Sequence, residues 1–194
     1  MKKITGKVIS VHSGSNVDLS KEAHSSIQVE LDGIVGDRHR SYVRNTWSGD
    51  KQPLGTLRRN ERQWSAVSSR ELEEIASEMN CAEPLTAASL GANLCLGGIP
   101  ELSRLPKGTL LRFPSGAELI VEEYNPPCQD MSNIQASLHR TKSGDPVSPL
   151  AFSRAAKLRR GIVGVVEAAG VIAAGDHVEV EIYATPPWLA LSEQ

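Results

Sequence analysis

The residues with the most evident chemical use sit together in Asn125-Pro126-Pro127-Cys128. Two consecutive prolines remove two backbone N–H donors and stiffen the approach to the cysteine. Asn125 and Asp130 flank it with polar groups. A thiol on a rigid turn at a strand end suits a nucleophile, a sulfur carrier or a soft metal ligand. The alternative use of a free cysteine is as a small buried apolar residue. Cys95, between two leucines in a strand-like run, and Cys81, just past a helix end, read as structural or incidental. No Cys-x-x-Cys pair occurs, so a structural zinc site is not expected. Three cysteines without a secretory signal argue against a disulfide framework.

Gly36-Asp37-Arg38-His39-Arg40 forms a second constellation. Arginine grips phosphate-like oxygens with a planar fork, glycine lets backbone approach a ligand, and histidine adds a donor. A solvated loop with an internal Asp–Arg pair is the competing reading. Arg58-Arg59-Asn60-Glu61-Arg62 extends the anion-binding surface if the loops meet, and is a solvated run if they do not. His12, His24, His139 and His177 show no ligand spacing. No phosphate loop, dinucleotide fingerprint, His-Glu-x-x-His pair or nucleophile elbow is found.

Short alternating segments must position these groups. Strands are expected over 4–11, 26–31, 63–68, 93–96, 109–113, 118–123, 162–167 and 177–183, and the pair around Ser115-Gly116 reads as a hairpin. Residues 12–25 read as a loop and 45–63 as a long polar connection. One helix starts at Ser68, where Ser68-x-x-Glu71 fits a capping box and Leu72, Ile75 and Met79 share a face. A second is expected from Ser148-Pro149, with Leu150, Ala151, Ala155 and Leu158 inward, basic residues at its end and Gly161 stopping it. Many short strands with two helices predict a mainly β barrel or sandwich with α excursions.

The bulk composition narrows the function classes. The 194 residues suit a single domain over 1–194, with a core of about 5–183 and an irregular tail over 184–194. Aromatics are only 4%, so Val, Ile, Leu and Ala must build the core. A net charge of −2 gives no basic face for nucleic acid. No apolar run approaches the roughly 20 residues of a membrane span, and the N-terminus does not read as a signal peptide. A cytoplasmic protein without nucleic-acid or membrane partners is expected.

Five segments in order resemble the MOSC domain family across residues 5–183: Gly33-Ile34-Val35-Gly36-Asp37-Arg38-His39, Leu90-Gly91-Ala92-Asn93-Leu94, Asn125-Pro126-Pro127-Cys128, Arg160-Gly161-Ile162-Val163-Gly164-Val165-Val166 and Gly175-Asp176-His177-Val178. The resemblance implies a MOSC-type β-barrel of the stand-alone bacterial kind. It places the family's cysteine at Cys128, as a persulfide sulfur carrier or a molybdenum ligand. It implies sulfur transfer, metal–sulfur cluster or cofactor assembly, with a sulfurtransferase or a molybdenum-dependent oxidoreductase-type domain as the enzyme classes. The implied cofactor is the molybdenum cofactor, a pterin with a phosphate, for which Asp37, Arg38, His39, Arg58, Arg59, Asn60, Asn93 and Asn125 are the candidate residues. Pyridoxal phosphate is not expected on this chain, which has no room for the upstream domain of the sulfurases. A separate cysteine desulfurase-like donor or an acceptor protein is the implied partner. The alternative is a non-catalytic module that binds and delivers an anionic pterin-type cofactor.

Overall fold

The computed structural model describes residues 2–184. All but the first residue of the expected tail lies outside them. In chain order the elements are β1 (Lys2–Ser13), β2 (Glu22–His24), β3 (Ser26–Glu30), β4 (Gly33–Ile34), β5 (Val43–Asn45), β6 (Leu57–Arg59), β7 (Trp64–Ser68) and α1 (Ser69–Glu78). Then follow β8 (Leu94–Gly97), a 3-10 turn (Leu102–Arg104), β9 (Leu110–Arg112), β10 (Glu118–Tyr124), α2 (Gln129–Leu138), α3 (Ala151–Ala155), β11 (Ile162–Ala168), β12 (Gly170–Ala173) and β13 (His177–Ile182).

The main sheet runs β13-β9-β10-β11-β7-β8-β1-β2, and β13 also pairs with β1. That pairing closes seven strands into a barrel and leaves β2 as an extension of β1. Closure removes the unpaired edges that an open sheet would expose. The barrel pairs are antiparallel except β7 with β8, which are parallel and joined through α1. Such a crossover needs a helix-sized connection. β12, β3 and β4 form a small second sheet, and β5 and β6 a separate hairpin.

Alternation along the strands points one face inward. Val8, Val11, Trp64, Leu94, Leu111, Leu119, Ile162 and Val180 are buried in one cluster inside the barrel. A second cluster lies between the helices and the barrel, with Leu72, Ile75, Met79, Cys95, Met131 and Phe152. Each fully buried side chain of this size contributes about 1.5–3 kcal/mol. Strands pass closely where glycine allows it. A Cβ on Gly164 would lie 1.9 Å from the carbonyl of Ile120, and one on Gly161, at φ +99°, would lie 2.0 Å from that of Ala66.

Several expectations need correction. The stretch 12–25 is not all loop, because β1 runs on to Ser13 and β2 pairs with it. The long connection 45–63 holds the β5–β6 hairpin, tied across by Arg44, Asp50, Arg58 and Glu61. The capping box at α1 is half formed. Ser68 Oγ accepts the Glu71 N–H at 3.4 Å, but the Glu71 carboxylate turns to Ser103, accepting from its N–H at 3.2 Å and its hydroxyl at 2.6 Å. The helix expected from Ser148 is the single-turn α3, whose N-cap is Leu150. β12 was not expected, and neither was α2, which begins directly after Cys128.

Candidate functional site

The end of β10 delivers the chain into the Pro-Pro-Cys turn. The Asn125 N–H donates to Gly161 O at 2.9 Å, fixing the exit of β10 against the start of β11. Pro126 and Pro127 follow, and Cys128 takes an extended conformation (φ −108°, ψ 164°) as the N-cap of α2. Its Sγ accepts the N–H of Met131 at 3.4 Å. The positive end of the helix dipole therefore faces whatever charge this sulfur carries. Cys128 is exposed, whereas Cys81 and Cys95 are buried.

Cys128 opens onto a cavity of about 290 Å³. Arg38, His39, Arg62, Asn125 and Arg160 line it together with Trp47 from the tip of the β5–β6 hairpin. Leu90, Met131 and Val163 supply apolar wall. Arg62 is oriented by donating from Nη2 to Asn125 Oδ1 at 2.6 Å, and burial lowers its pKa. Arg160 is only 7% exposed. Its Nη2 donates to Leu90 O at 2.7 Å, while Nη1 has no hydrogen-bond partner among the described residues. Burial pushes its guanidinium down to about 10, against the opposing effect of the nearby Cys128. A buried cation with an unsatisfied N–H is expensive unless an anion completes it.

Of the candidates read from the sequence, Arg38, His39, Asn125 and Cys128 meet in this cavity. Asp37, Asn60 and Asn93 do not line it; they are buried in the frame that holds it. Asn93 donates to Asp37 Oδ2 at 2.8 Å and to His12 O at 3.1 Å. Asn60 donates to the carbonyls of His39 and Ser41 and accepts the Arg62 N–H. Arg58 and Arg59 also lie outside the cavity. Arg58 is spent on Asp50 and Glu61, and Arg59 on Glu122. Arg62, singled out only as part of the run 58–62, lines the cavity, and so do Arg160 and Trp47, which were not candidates. Arg160 carries the appearance of a helix C-terminal charge, next to Lys157 and Arg159.

A larger cavity, about 420 Å³, lies between β1, α1 and residues 84–88, and Cys95 is on its wall. Burial pushes that thiol up to about 11. A thiol so rarely ionised is a poor nucleophile near neutral pH, so size does not make this cavity the reactive one. Among the described residues no group of three or more His, Cys, Asp or Glu could hold a metal ion, and no helix is long and apolar enough to cross a membrane.

The family model of the MOSC domain matches residues 53–179, and the closed, mainly β barrel agrees with it; the chain belongs to this family. It is similar to the Bacillus subtilis (strain 168) protein named "Putative metal-sulfur cluster biosynthesis proteins YuaD", with 33% identity over 185 residues, covering 94% of this chain and 93% of that protein. The crystal structure of a YuaD protein from Bacillus subtilis superposes with a TM-score of 0.87 at 32% identity, over 94% of this chain and 99% of that one. YiiM from Geobacillus stearothermophilus shares the fold, with a TM-score of 0.59 at 15% identity, over 91% of this chain and 75% of its own.

Proposed function

We propose that this protein is a sulfur carrier in metal–sulfur cluster or cofactor assembly, and that Cys128 holds the sulfur as a persulfide. The carrying observation is the exposed Cys128 thiol sharing a cavity with the buried Arg160, whose Nη1 has no hydrogen-bond partner among the described residues. A persulfide is an anion near neutral pH, and Arg160, Arg62 and the N-terminus of α2 offer it charge and N–H donors. The name of the Bacillus subtilis relative lends support, since cluster assembly needs a protein that brings sulfur without releasing it. The sulfur comes from a separate donor of the cysteine desulfurase type and passes to an acceptor.

The open Nη1 of Arg160 also favours a second reading, a module that binds and delivers the molybdenum cofactor. The residues present fit that group. Cys128 would offer a soft sulfur ligand, and Arg38, Arg62 and Arg160 would hold its phosphate. When bound, the group supplies oxygen-atom or sulfur redox chemistry at molybdenum.

Elemental analysis and native mass spectrometry separate the readings, on wild type and Cys128→Ser purified from a molybdate-replete host that makes the cofactor. The sulfur-carrier reading expects an added sulfur on wild type alone, without stoichiometric molybdenum. Molybdenum on both proteins, with no added sulfur, would overturn it in favour of delivery.

A further inference from the structure

The sulfur and guanidinium groups leave one feature of the cavity unused, the imidazole of His39. Its side chain is 48% exposed, yet nearly everything around it is fixed. Its backbone N–H donates to Asp37 Oδ1 at 3.0 Å, and its ring Nδ1 lies 3.2 Å from the same oxygen. Its carbonyl accepts Asn60 Nδ2 at 2.8 Å. Asp37 Oδ2 in turn accepts from Lys21 Nζ at 2.6 Å and from Asn93 Nδ2 at 2.8 Å. The side chains of Lys21 and Asp37 are both 0% exposed.

A buried Lys–Asp pair is a costly way to hold two loops together, because desolvating both ions offsets their attraction. Burial alone would push the Asp37 carboxyl up. The His39 contact and the Lys21 ammonium outweigh it and hold the carboxyl well below the ordinary range. Asp37 is therefore an ionised acceptor. The His39 Nδ1 must carry a hydrogen toward it, which leaves Nε2 as the nitrogen available to a ligand in the cavity. The oriented imidazole and the Cys128 thiol line the same cavity, where a proton can pass between them directly or through one water.

We propose that His39, positioned by Asp37, is the proton-transfer residue of sulfur exchange at Cys128, and that the substrate is an alkyl persulfide; this rests on the sulfur-carrier reading. The Cys128 thiol gives its proton to Nε2 as its Sγ attacks the outer sulfur of R–S–SH. The new Sγ–S bond forms with the sulfur electron pair, the donor S–S bond breaks, and that pair leaves on R–S⁻. The imidazolium returns the proton to R–S⁻. The sum is Cys128–SH + R–S–SH → Cys128–S–SH + R–SH, with no outside oxidant or reductant. An alkyl thiolate leaves poorly without a proton, whereas an aromatic thiolate leaves readily. The imidazole therefore matters for cysteine-like donors.

The test uses two neutral disulfides that differ in leaving group, 2-hydroxyethyl disulfide and 2,2′-dipyridyl disulfide, with mixed-disulfide formation at Cys128 followed by peptide mass spectrometry at pH 7. His39→Gln should slow both reactions, because both need the Cys128 proton removed, and the hydroxyethyl reaction more, by roughly 100-fold against less than about 10-fold for the pyridyl reaction. Asp37→Asn should show the same selectivity with a smaller loss. His39 is half exposed, so His39→Gln keeps the test decisive if Asp37→Asn fails to fold, and circular dichroism checks both. Equal loss with both disulfides, or no loss with either, would overturn this proposal alone. A wild-type Cys128 that exchanges with neither disulfide would overturn the sulfur-carrier reading and this proposal with it.

Discussion

The backbone N–H of Met131 donates to the Sγ of Cys128 at 3.4 Å, so the exposed thiol of the cavity is also the cap of α2. The same sulfur that stands ready for chemistry thus satisfies one of the donors a helix leaves open at its start. Structure and function can be separated here by choosing the replacement.

Cys128→Ser should keep the cap, because a hydroxyl is a strong N-cap acceptor, and its stability should match or exceed wild type. Cys128→Ala should lose about 1 kcal/mol. Both should lose all sulfur-carrying capacity. Urea unfolding of the three proteins checks this, and a serine variant as unstable as alanine would contradict the capping role.

The buried Lys21–Asp37 pair should make stability depend on pH. The folded-state carboxyl sits below its unfolded value, about 3.9. Its stabilisation is fully present above that pH and is lost as pH falls through the folded-state value. Asp37→Asn should lose about 3–5 kcal/mol at neutral pH and show a flatter acid limb than wild type. Unfolding free energies measured from pH 7 down to about pH 2, across the window below the unfolded value, provide the check.

The cysteines should differ sharply toward iodoacetamide. Burial pushes the Cys95 thiol up to about 11 and raises that of Cys81, while Cys128 is exposed. Native protein near neutral pH should take a single label, mapped to Cys128, and denatured protein should take a label on each of the three cysteines. A native label on Cys95 would show that the second cavity opens.

Much of this is legible in the sequence. The strands β3, β10 and β13 follow from alternation, β7, β8 and β11 from short apolar runs, and the Pro-Pro-Cys turn stands out because proline restricts the backbone so strongly. Other parts are hidden for physical reasons. α2 escapes because cysteine is not among the usual N-cap residues, so no start signal precedes it. Asn60 and Asn93 resemble ligand-binding residues because an amide that staples loops and one that binds a ligand use the same donors. Arg58 and Arg59 look free until the hairpin supplies Asp50 and the barrel supplies Glu122. Arg160 looks like a surface charge beside Lys157 and Arg159, because its burial depends on the distant Leu90 carbonyl that its side chain reaches.

Replacing Arg160 tests the anion-holding part of the cavity. Arg160→Lys keeps a charge but loses the fork that reaches Leu90 O with one nitrogen and leaves Nη1 for a ligand. Sulfur loading at Cys128 should fall roughly ten-fold, the value of about one charge-assisted hydrogen bond. Loading time courses read by intact mass provide the check, and unchanged loading would remove Arg160 from the site.

The most direct measurement is the sulfane sulfur held after incubation with cysteine persulfide and removal of the excess, quantified by cyanolysis and located by peptide mass spectrometry. The account predicts one sulfane sulfur per wild-type chain, on Cys128, and none on Cys128→Ser. No sulfane sulfur on wild type, or an equal amount on the serine variant, would contradict it.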